Sequence, residues 1–250
     1  MSKDESEGID RLSIRERPGG TPIMRQNWGK LVFMHWRFAV EDLRPHIPAG
    51  LTVDTYDGSA WVAVTPFTMW DVRLTFTPPV PWLSDFHELN VRTYVHHEGV
   101  PGVWFFSLDT NSLAAVLGAR ALYHLPYFHA DITLEQTGAR IDYALQRNEA
   151  GGRHPQARFE ATWTIGADLP EAQPGSLEFF LTERYCLYAA RGESLYRARI
   201  HHRPWPLQEA ALGALNSTMI EADGLPAPKG EPLLHYAEAL AVDIWPIEKL

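Results

Sequence analysis

FHELNVRTYVHHEGVPGVWFFSLDTNSLAAVLGARALYHLPYFH, residues 86–129, is the stretch that decides the fold. Two strand-like runs, 89–97 and 102–110, flank a glycine-rich turn, and a short helical segment follows that Pro126 ends. The stretch also places many ionisable groups among many aromatic residues. A polar group in an apolar setting costs free energy unless it is paired. The cluster is therefore either a structural network or a functional site.

The composition of the whole chain is that of an ordinary globular protein. Its 250 residues, 45% apolar and 21% charged, suffice for one large domain with its own core. The net charge of −9 and the scattered arginines argue against a general nucleic-acid binder, which needs a basic face. The single cysteine, Cys186, excludes an internal disulfide framework and argues against a cysteine-based zinc site.

The N-terminal segment is polar and charged and ends in Pro-Gly-Gly. It lacks the apolar region of a signal peptide, so we expect a flexible or surface-lying arm over residues 1–21. No run of about 18 apolar residues occurs, so no membrane-spanning helix and no membrane partner are predicted. We expect a cytoplasmic protein with one domain over residues 22–250.

Strand patterns dominate the rest of the chain. The order, many hairpin-linked strands with two or three helices, predicts an α+β fold built on a large curved or closed antiparallel β-sheet. The Pro-rich segment 75–84 is expected to be a loop. Strands are predicted at 24–38, on both sides of a Tyr-Asp-Gly-Ser turn within 51–74, at 130–136, 139–147, 157–165 and 194–205, and at the C-terminus. Helices are predicted at 41–47, 112–123, 177–190 and 207–214.

Six motifs in a fixed order resemble the uncharacterised YqjF-like family, catalogued as domain of unknown function 2071. The likeness covers roughly residues 22 to 248, and known members are mostly bacterial. More distantly, the family resembles the acetoacetate decarboxylase superfamily. That resemblance implies a cone-like closed antiparallel sheet around a central cavity. The motifs are HWRF (35–38), LRPHIPAGLTVD (43–54), AWVAVTPFTM (60–69), ELNVRTYV (88–95), VWFFSLDT (103–110) and ARALYHLPYFHA (119–130).

The same resemblance implies that this chain lacks the superfamily's nucleophile. Acetoacetate decarboxylases form a Schiff base from a lysine with an adjacent lysine. The resemblance places that pair at Tyr127 and Phe128, neither of which can form an imine. Of the chain's lysines, only Lys30 lies near the predicted core. The superfamily's glutamate, by contrast, is matched by Glu88.

Glu88, Asn90 and Arg92 are spaced by two, so on a strand they point to one face of the sheet. Two interpretations stay open. The set is either a structural salt bridge across the barrel, or a carboxylate-binding arginine beside a glutamate that acts as acid and base.

Four further residues are candidates for binding a substrate. Arg73 lies at the end of a strand, where family motifs suggest a second inward cation, and Arg120 lies on the predicted helix 112–123. His124 and Tyr127 flank Pro126, where the backbone is irregular. Each has a structural alternative: an arginine can pair with a nearby aspartate, and a lone histidine is more often a hydrogen-bonded core residue.

A metal cofactor is not expected. The pairs His96-His97 and His201-His202 are adjacent on strands, so their side chains face opposite sides and cannot chelate together. The sequence also lacks hydrolase-elbow, dinucleotide and P-loop motifs.

Two hypotheses of function remain. One is a cavity that binds a small organic acid or carbonyl compound, without the Schiff-base lysine; if catalytic, such a site would be lyase-like. The other is a non-catalytic ligand-sensing or structural domain with a buried polar network. No cofactor is expected in either case, and the oligomeric state is left open, with a homo-oligomer as one alternative.

Overall fold

The computed structural model describes residues 8–80, 83–148 and 156–250, so parts of the predicted arm and of the predicted 75–84 loop lie outside it. Within these ranges thirteen strands join in one sheet. The strands are β1 Met24–Phe38, β2 Thr52–Val53, β3 Ala60–Leu74, β4 Phe86–His97, β5 Val100–Thr110, β6 Tyr127–Thr137, β7 Arg140–Arg147, β8 Arg158–Asp168, β9 Cys186–Arg191, β10 Ser194–His201, β11 Leu207–Ser217, β12 Leu233–Ile244 and β13 Glu248–Lys249. The helices are α1 Val40–Leu43, α2 Leu113–Tyr123, α3 Leu177–Thr182 and α4 Met219–Ala222.

The sheet closes on itself twice. Strand β5 pairs with β4 along one edge. Along its other edge it pairs with β9 at Val103 and with β6 from Leu108 onward. Likewise, β12 pairs with β1 on one edge and with β10 and β11 on the other. Strands β12, β1, β3, β4 and β5 therefore form a shared wall between two rings. We call the ring completed by β9 and β10 the smaller ring, and the one completed by β6, β7, β8 and β11 the larger ring.

The shared wall has an apolar core on each of its two sides, because the side chains of successive strand residues point to opposite faces of the sheet. On β4, Leu89 and Val91 belong to an apolar cluster with residues of β6–β8 in the larger ring. Phe86 and Tyr94 belong to a second cluster with residues of β9 and β10 in the smaller ring. The even-numbered residues of β4 thus face the smaller ring.

The predicted α+β fold with a closed sheet is confirmed. The predicted strand 24–38 coincides with β1, and the hairpin expected in the opening stretch is formed by β4 and β5. Ser112 caps α2 by accepting a hydrogen bond from the Ala115 amide. The sheet is not wholly antiparallel, because β5 runs parallel to β6 and β9. A parallel pair needs a crossover connection, which α2 provides between β5 and β6.

The prediction of a helix over 177–190 is wrong beyond its first two turns. Helix α3 ends at Thr182, and β9 then pairs with β10 through six residue pairs. The helix-forming composition of this segment is overridden because β9 also adds to the free edge of β5.

The helix predicted at 207–214 is also wrong. The segment forms β11, which pairs with β8 over much of its length. A glycine suits position 213 in this pairing, because a Cβ atom there would lie 2.5 Å from the Thr162 hydroxyl oxygen and would clash with it. The Asp57-Gly58 turn forms with positive φ and is closed by an antiparallel bridge between Tyr56 and Ser59, but the strands predicted on its two sides do not pair with each other. Instead, β2 and β3 both pair with β4.

The described part of the N-terminal arm, residues 8–21, packs against the domain. Ile14 is buried, and Arg11 forms two 2.6 Å hydrogen bonds with the Asp54 carboxylate. None of the helices in the described ranges has the length and apolar character needed to traverse a bilayer.

Candidate functional site

A cavity of about 450 Å³ lies inside the smaller ring. Its walls are mostly apolar, and polar side chains enter it from β4 and from the segment that follows α3. Glu88, Asn90 and Arg92 all line it, so the prediction that they share one face of a strand is right. Tyr127 and Arg73 line it as well.

Glu88 lies in this cavity as a buried carboxyl group. The Tyr127 hydroxyl donates a 2.7 Å hydrogen bond to its Oε2 atom, and Asn90 forms a second side-chain hydrogen bond with it. Burial raises the pKa of Glu88 to about 8, and the Asp109 charge adds to the rise, while the two hydrogen bonds oppose it. The group is therefore mostly protonated near neutral pH and can both donate and accept a proton.

The Arg92 guanidinium extends away from Glu88. Its Cζ atom lies 5.3 Å from the Phe33 ring centroid, and it hydrogen-bonds the Tyr94 hydroxyl. The residues that the structure describes place no carboxylate oxygen within 4.0 Å of this guanidinium. Its Nε atom is buried and has no hydrogen-bond partner among them.

The ion pair considered between Glu88 and Arg92 is therefore not formed. The two residues are four positions apart on β4, which separates their Cα atoms by about 13 Å along the strand. Tyr127 and Asn90, not Arg92, hold the Glu88 carboxyl group.

Arg184 is a cavity residue that the sequence analysis missed. Its Nη1 atom lies 2.7 Å from the Asp54 carboxylate, and its Nε atom donates to the Phe180 carbonyl. Its Cζ atom lies 4.7 Å from the Tyr94 ring centroid. Its Nη2 atom is buried without a partner among the described residues. The helix wrongly predicted over 177–190 includes this residue, which in fact lies in the non-helical segment between α3 and β9.

Gln26 and His202 also line the cavity and were missed. The His202 ring stacks on Tyr185 at 4.4 Å, and burial lowers its pKa. Arg73 is half-buried, and its Nη1 atom donates to the Asp71 carbonyl rather than to an aspartate side chain. No pattern in the sequence connects these residues, because they come from segments that are far apart in the chain.

Two of the predicted site residues lie outside the cavity lining. Arg120 is exposed on α2, and its Nε atom donates a 2.6 Å hydrogen bond to the Tyr127 carbonyl. His124 ends α2 with a φ of 55°, and its ring packs edge-on against Tyr196. Arg120 thus supports the backbone of a cavity residue, whereas His124 faces another part of the molecule.

The cavity offers no lysine among the described residues that line it. Tyr127 lines it at one of the positions that the resemblance assigns to the lysine pair. Phe128, the other, lies under Arg147, whose Cζ atom is 4.2 Å from the ring centroid. Within the described ranges, no three His, Cys, Asp or Glu side chains come together as metal ligands would.

The buried charges around the cavity are not all matched by a partner of opposite charge. Glu183, the residue before Arg184, is a buried carboxylate that accepts hydrogen bonds from the Tyr185 hydroxyl and the Trp205 amide. Asp54 is shared by Arg11 and Arg184, and Glu88 is mostly neutral near pH 7. Arg92 adds a further positive charge without a carboxylate partner in the described part of the chain. A buried cation without a carboxylate partner, beside unused N–H donors, suits an anionic ligand.

Sequence comparison identifies relatives over most of the chain. The profile of the DUF2071 family, described as an uncharacterized conserved protein, matches residues 25–241. The uncharacterized protein YqjF of Bacillus subtilis (strain 168) is 42% identical over 232 residues, which is 93% of this chain and 94% of YqjF.

Solved structures with the same fold are more distant in sequence. The enduracididine biosynthesis enzyme MppR, in a complex with pyruvate, has a TM-score of 0.64 at 16% identity, covering 94% of this chain and 93% of MppR. An acetoacetate decarboxylase has a TM-score of 0.59 at 16% identity, covering 95% and 91% of the two chains. The acetoacetate decarboxylase of Legionella pneumophila has a TM-score of 0.58 at 14% identity, covering 99% and 98%. These likenesses establish the acetoacetate decarboxylase-like fold.

Proposed function

The chain belongs to the DUF2071 family, and we propose that it binds an organic acid that carries a carbonyl group in the cavity of the smaller ring. The observation that carries the proposal is the pair of buried guanidinium groups, Arg92 and Arg184. Each keeps an N–H without a partner among the described residues. An arginine is the side chain best suited to a carboxylate, because its planar N–H groups match the two carboxylate oxygens.

Glu88 would act on a carbonyl group that lies far from the carboxylate of the ligand, because the Cα atoms of Glu88 and Arg92 are about 13 Å apart along β4. Because burial keeps it mostly protonated at neutral pH, it can donate a hydrogen bond or a proton to a carbonyl oxygen and take the proton back. Tyr127 holds the carboxyl group in place. MppR, which shares the fold, was solved in complex with pyruvate, an acid of this class. The absence of lysine among the described lining residues supports chemistry without a Schiff base.

One observation favours the alternative of a purely structural network. Tyr127 and Tyr143 both donate to Glu88, to its side chain and to its carbonyl oxygen respectively. Such bonds also tie β4 to β6 and β7. The alternative predicts that changing the buried arginines alters stability without altering the affinity for any acid.

The first test is a titration with α-keto acids, which probes the carboxylate end of the proposed site. Pyruvate and α-ketooctanoate are added to the wild type and to the Arg92→Met variant, and binding is followed by calorimetry. We expect the variant to bind the acids at least tenfold more weakly, because a charge-assisted hydrogen bond contributes about 1.5–3 kcal/mol.

Arg37→Met is the matched control. Arg37 also lies over an aromatic ring, that of Trp61, but it is exposed and does not line the cavity. The Arg37→Met variant should bind both acids with the same affinity as the wild type. Equal affinity of wild type and Arg92→Met for both acids would overturn the proposal.

A further inference from the structure

We infer that the ligand is an amphipathic monocarboxylic acid, whose carboxylate lies at Arg92 and Arg184 and whose apolar tail extends to the mouth of the cavity. The inference, which rests on the proposed function, names the class of acid. A small polar acid such as pyruvate would then be a poor representative of the natural ligand.

The first support is the change in polarity from the deep end of the cavity to its mouth. At the deep end, Arg92 and Arg184 are only 8% and 4% exposed. At the mouth, the lining residues Leu74 and Leu122 are 53% and 63% exposed. Large apolar side chains exposed together around an opening are typical of a surface that an apolar group covers. An acid bound carboxylate-first would place its tail there.

The second support is the length of the site. Arg92 reaches toward Phe33 and Tyr94, while Glu88 lies four positions earlier on β4, about 13 Å along the strand. The mouth lies on the Glu88 side, where the segment 74–80 and α2 line the opening. A ligand that contacts Arg92 and passes Glu88 to the mouth must therefore be extended.

The third support is the volume and the character of the walls. A cavity of 450 Å³ lies within the range of about 300–1,000 Å³ that is typical of pockets for drug-sized ligands. Between the two ends, the walls include Phe67, Phe105, Leu187 and Ile200. Burying a methylene group against such walls is favourable, whereas a short acid would leave them in contact with water.

Arg73 is the cation among the described lining residues near the mouth, so a dicarboxylic acid is the competing ligand. Its guanidinium already donates to the Asp71 carbonyl, and its neighbours in the lining, Val72 and Leu74, are apolar. A second carboxylate there would lie beside apolar side chains. The monocarboxylic acid is therefore favoured.

The experiment is a chain-length series of straight acids, butanoate, hexanoate, octanoate and decanoate, titrated into the full-length protein. Trp28 and Trp205 line the cavity, so their fluorescence reports binding. We expect Kd to fall about three- to fourfold for each added methylene until the tail reaches the mouth. Octanol, which lacks the carboxylate, should bind at least tenfold more weakly than octanoate.

Gly118→Leu is the variant that tests the path of the tail. Gly118 lines the cavity on α2, and a Cβ added there meets no atom within 4 Å, so the larger side chain fills empty space. Leucine also has the higher helix propensity, which keeps the variant folded. We expect it to weaken decanoate binding at least tenfold and to leave butanoate binding unchanged. Leu117→Ala is the control, since Leu117 lies on α2 outside the lining.

The outcomes separate this inference from the proposed function. A Kd that does not change with chain length, while Arg92→Met still weakens pyruvate binding, overturns only the amphipathic ligand. So does an unchanged decanoate affinity in Gly118→Leu. Tighter binding of suberate, the dicarboxylate of octanoate length, overturns it in favour of a diacid that uses Arg73. If no acid of any length binds, the proposed function and the inference both fail.

Discussion

Two buried polar clusters lie on opposite sides of the shared wall, and they differ in how completely they are paired. In the larger ring, Arg147 donates two 2.7 Å hydrogen bonds to Asp109, and its Nη2 atom lies 3.5 Å from Asp223. Ser107 donates to the other oxygen of Asp223. In the smaller ring, Arg92 and Arg184 each keep a buried N–H without a partner among the described residues.

The difference separates a structural network from a binding site. A buried charge is tolerated when partners replace its lost hydration, and the Arg147 cluster supplies those partners from the protein itself. The Arg92 cluster lies beside a cavity and supplies only some of them. Buried groups that the protein leaves unpaired next to open space are those that a ligand can pair. Three predictions test this contrast, from the largest expected effect to the smallest.

Arg147→Met should cause the largest loss of stability. The change removes the buried cation that pairs with Asp109 and, in part, with Asp223, and breaking such a buried pair costs about 3–5 kcal/mol. Chemical denaturation measures this loss. Arg140→Met is the control on the same strand, because the pair of Arg140 with Asp142 is exposed and its removal should leave stability unchanged. A loss for Arg147→Met no greater than that of the control would contradict the structural role.

Glu88 should make stability depend on pH. Its pKa is about 8 in the folded protein, above the ordinary value of 4.5, so the folded state binds more protons than the unfolded state between these values. The free energy of unfolding should therefore fall, by on the order of a few kcal/mol, as pH rises through this window. Glu88→Gln, which keeps a neutral side chain, should flatten the profile.

The measurement is a series of denaturation curves between pH 5 and pH 9. Glu135→Gln is the control, since Glu135 is exposed on β6 and its removal should leave the wild-type profile. A profile of Glu88→Gln as steep as that of the wild type would show that Glu88 is ionised throughout.

Arg92→Met should have the smallest effect on stability, within about 1 kcal/mol of the wild type or stabilising. The change removes a buried cation that has no carboxylate partner in the described ranges, and methionine fills similar space with apolar atoms. The same denaturation assay measures it beside Arg147→Met. A loss as large as that of Arg147→Met would place Arg92 in a structural network and favour the non-catalytic alternative.

Part of this site could be predicted because side chains alternate between the two faces of a strand. The spacing of Glu88, Asn90 and Arg92 places them on one face wherever β4 lies. The family resemblance placed Tyr127 at the position of a missing lysine, and Tyr127 lines the cavity. The partner of Glu88 could not be predicted in this way, since Tyr127 reaches it from β6, 39 positions away.

Other predictions were wrong because the composition of a segment is a weak guide to its secondary structure where pairing with other strands decides it. The segments 186–191 and 207–217 contain good helix formers, yet both are strands. Each adds to an edge that another strand leaves free, and the ladder hydrogen bonds and the burial outweigh local helix propensity. Because of the error at 186–191, Arg184, which lies two positions before β9, was also missed.

The sequence by itself determined the polar face of β4 and the absence of lysine from the position that the resemblance assigns to the nucleophile. These follow from short-range periodicity and from the identity of single residues. Only the tertiary structure decided that the sheet closes twice and that Arg184 joins Arg92 in the smaller ring. It also decided that Glu88 forms an ion pair with neither arginine. Asp54 and Arg184 are 130 residues apart, and contacts over such distances depend on how the strands pair, which no local pattern specifies.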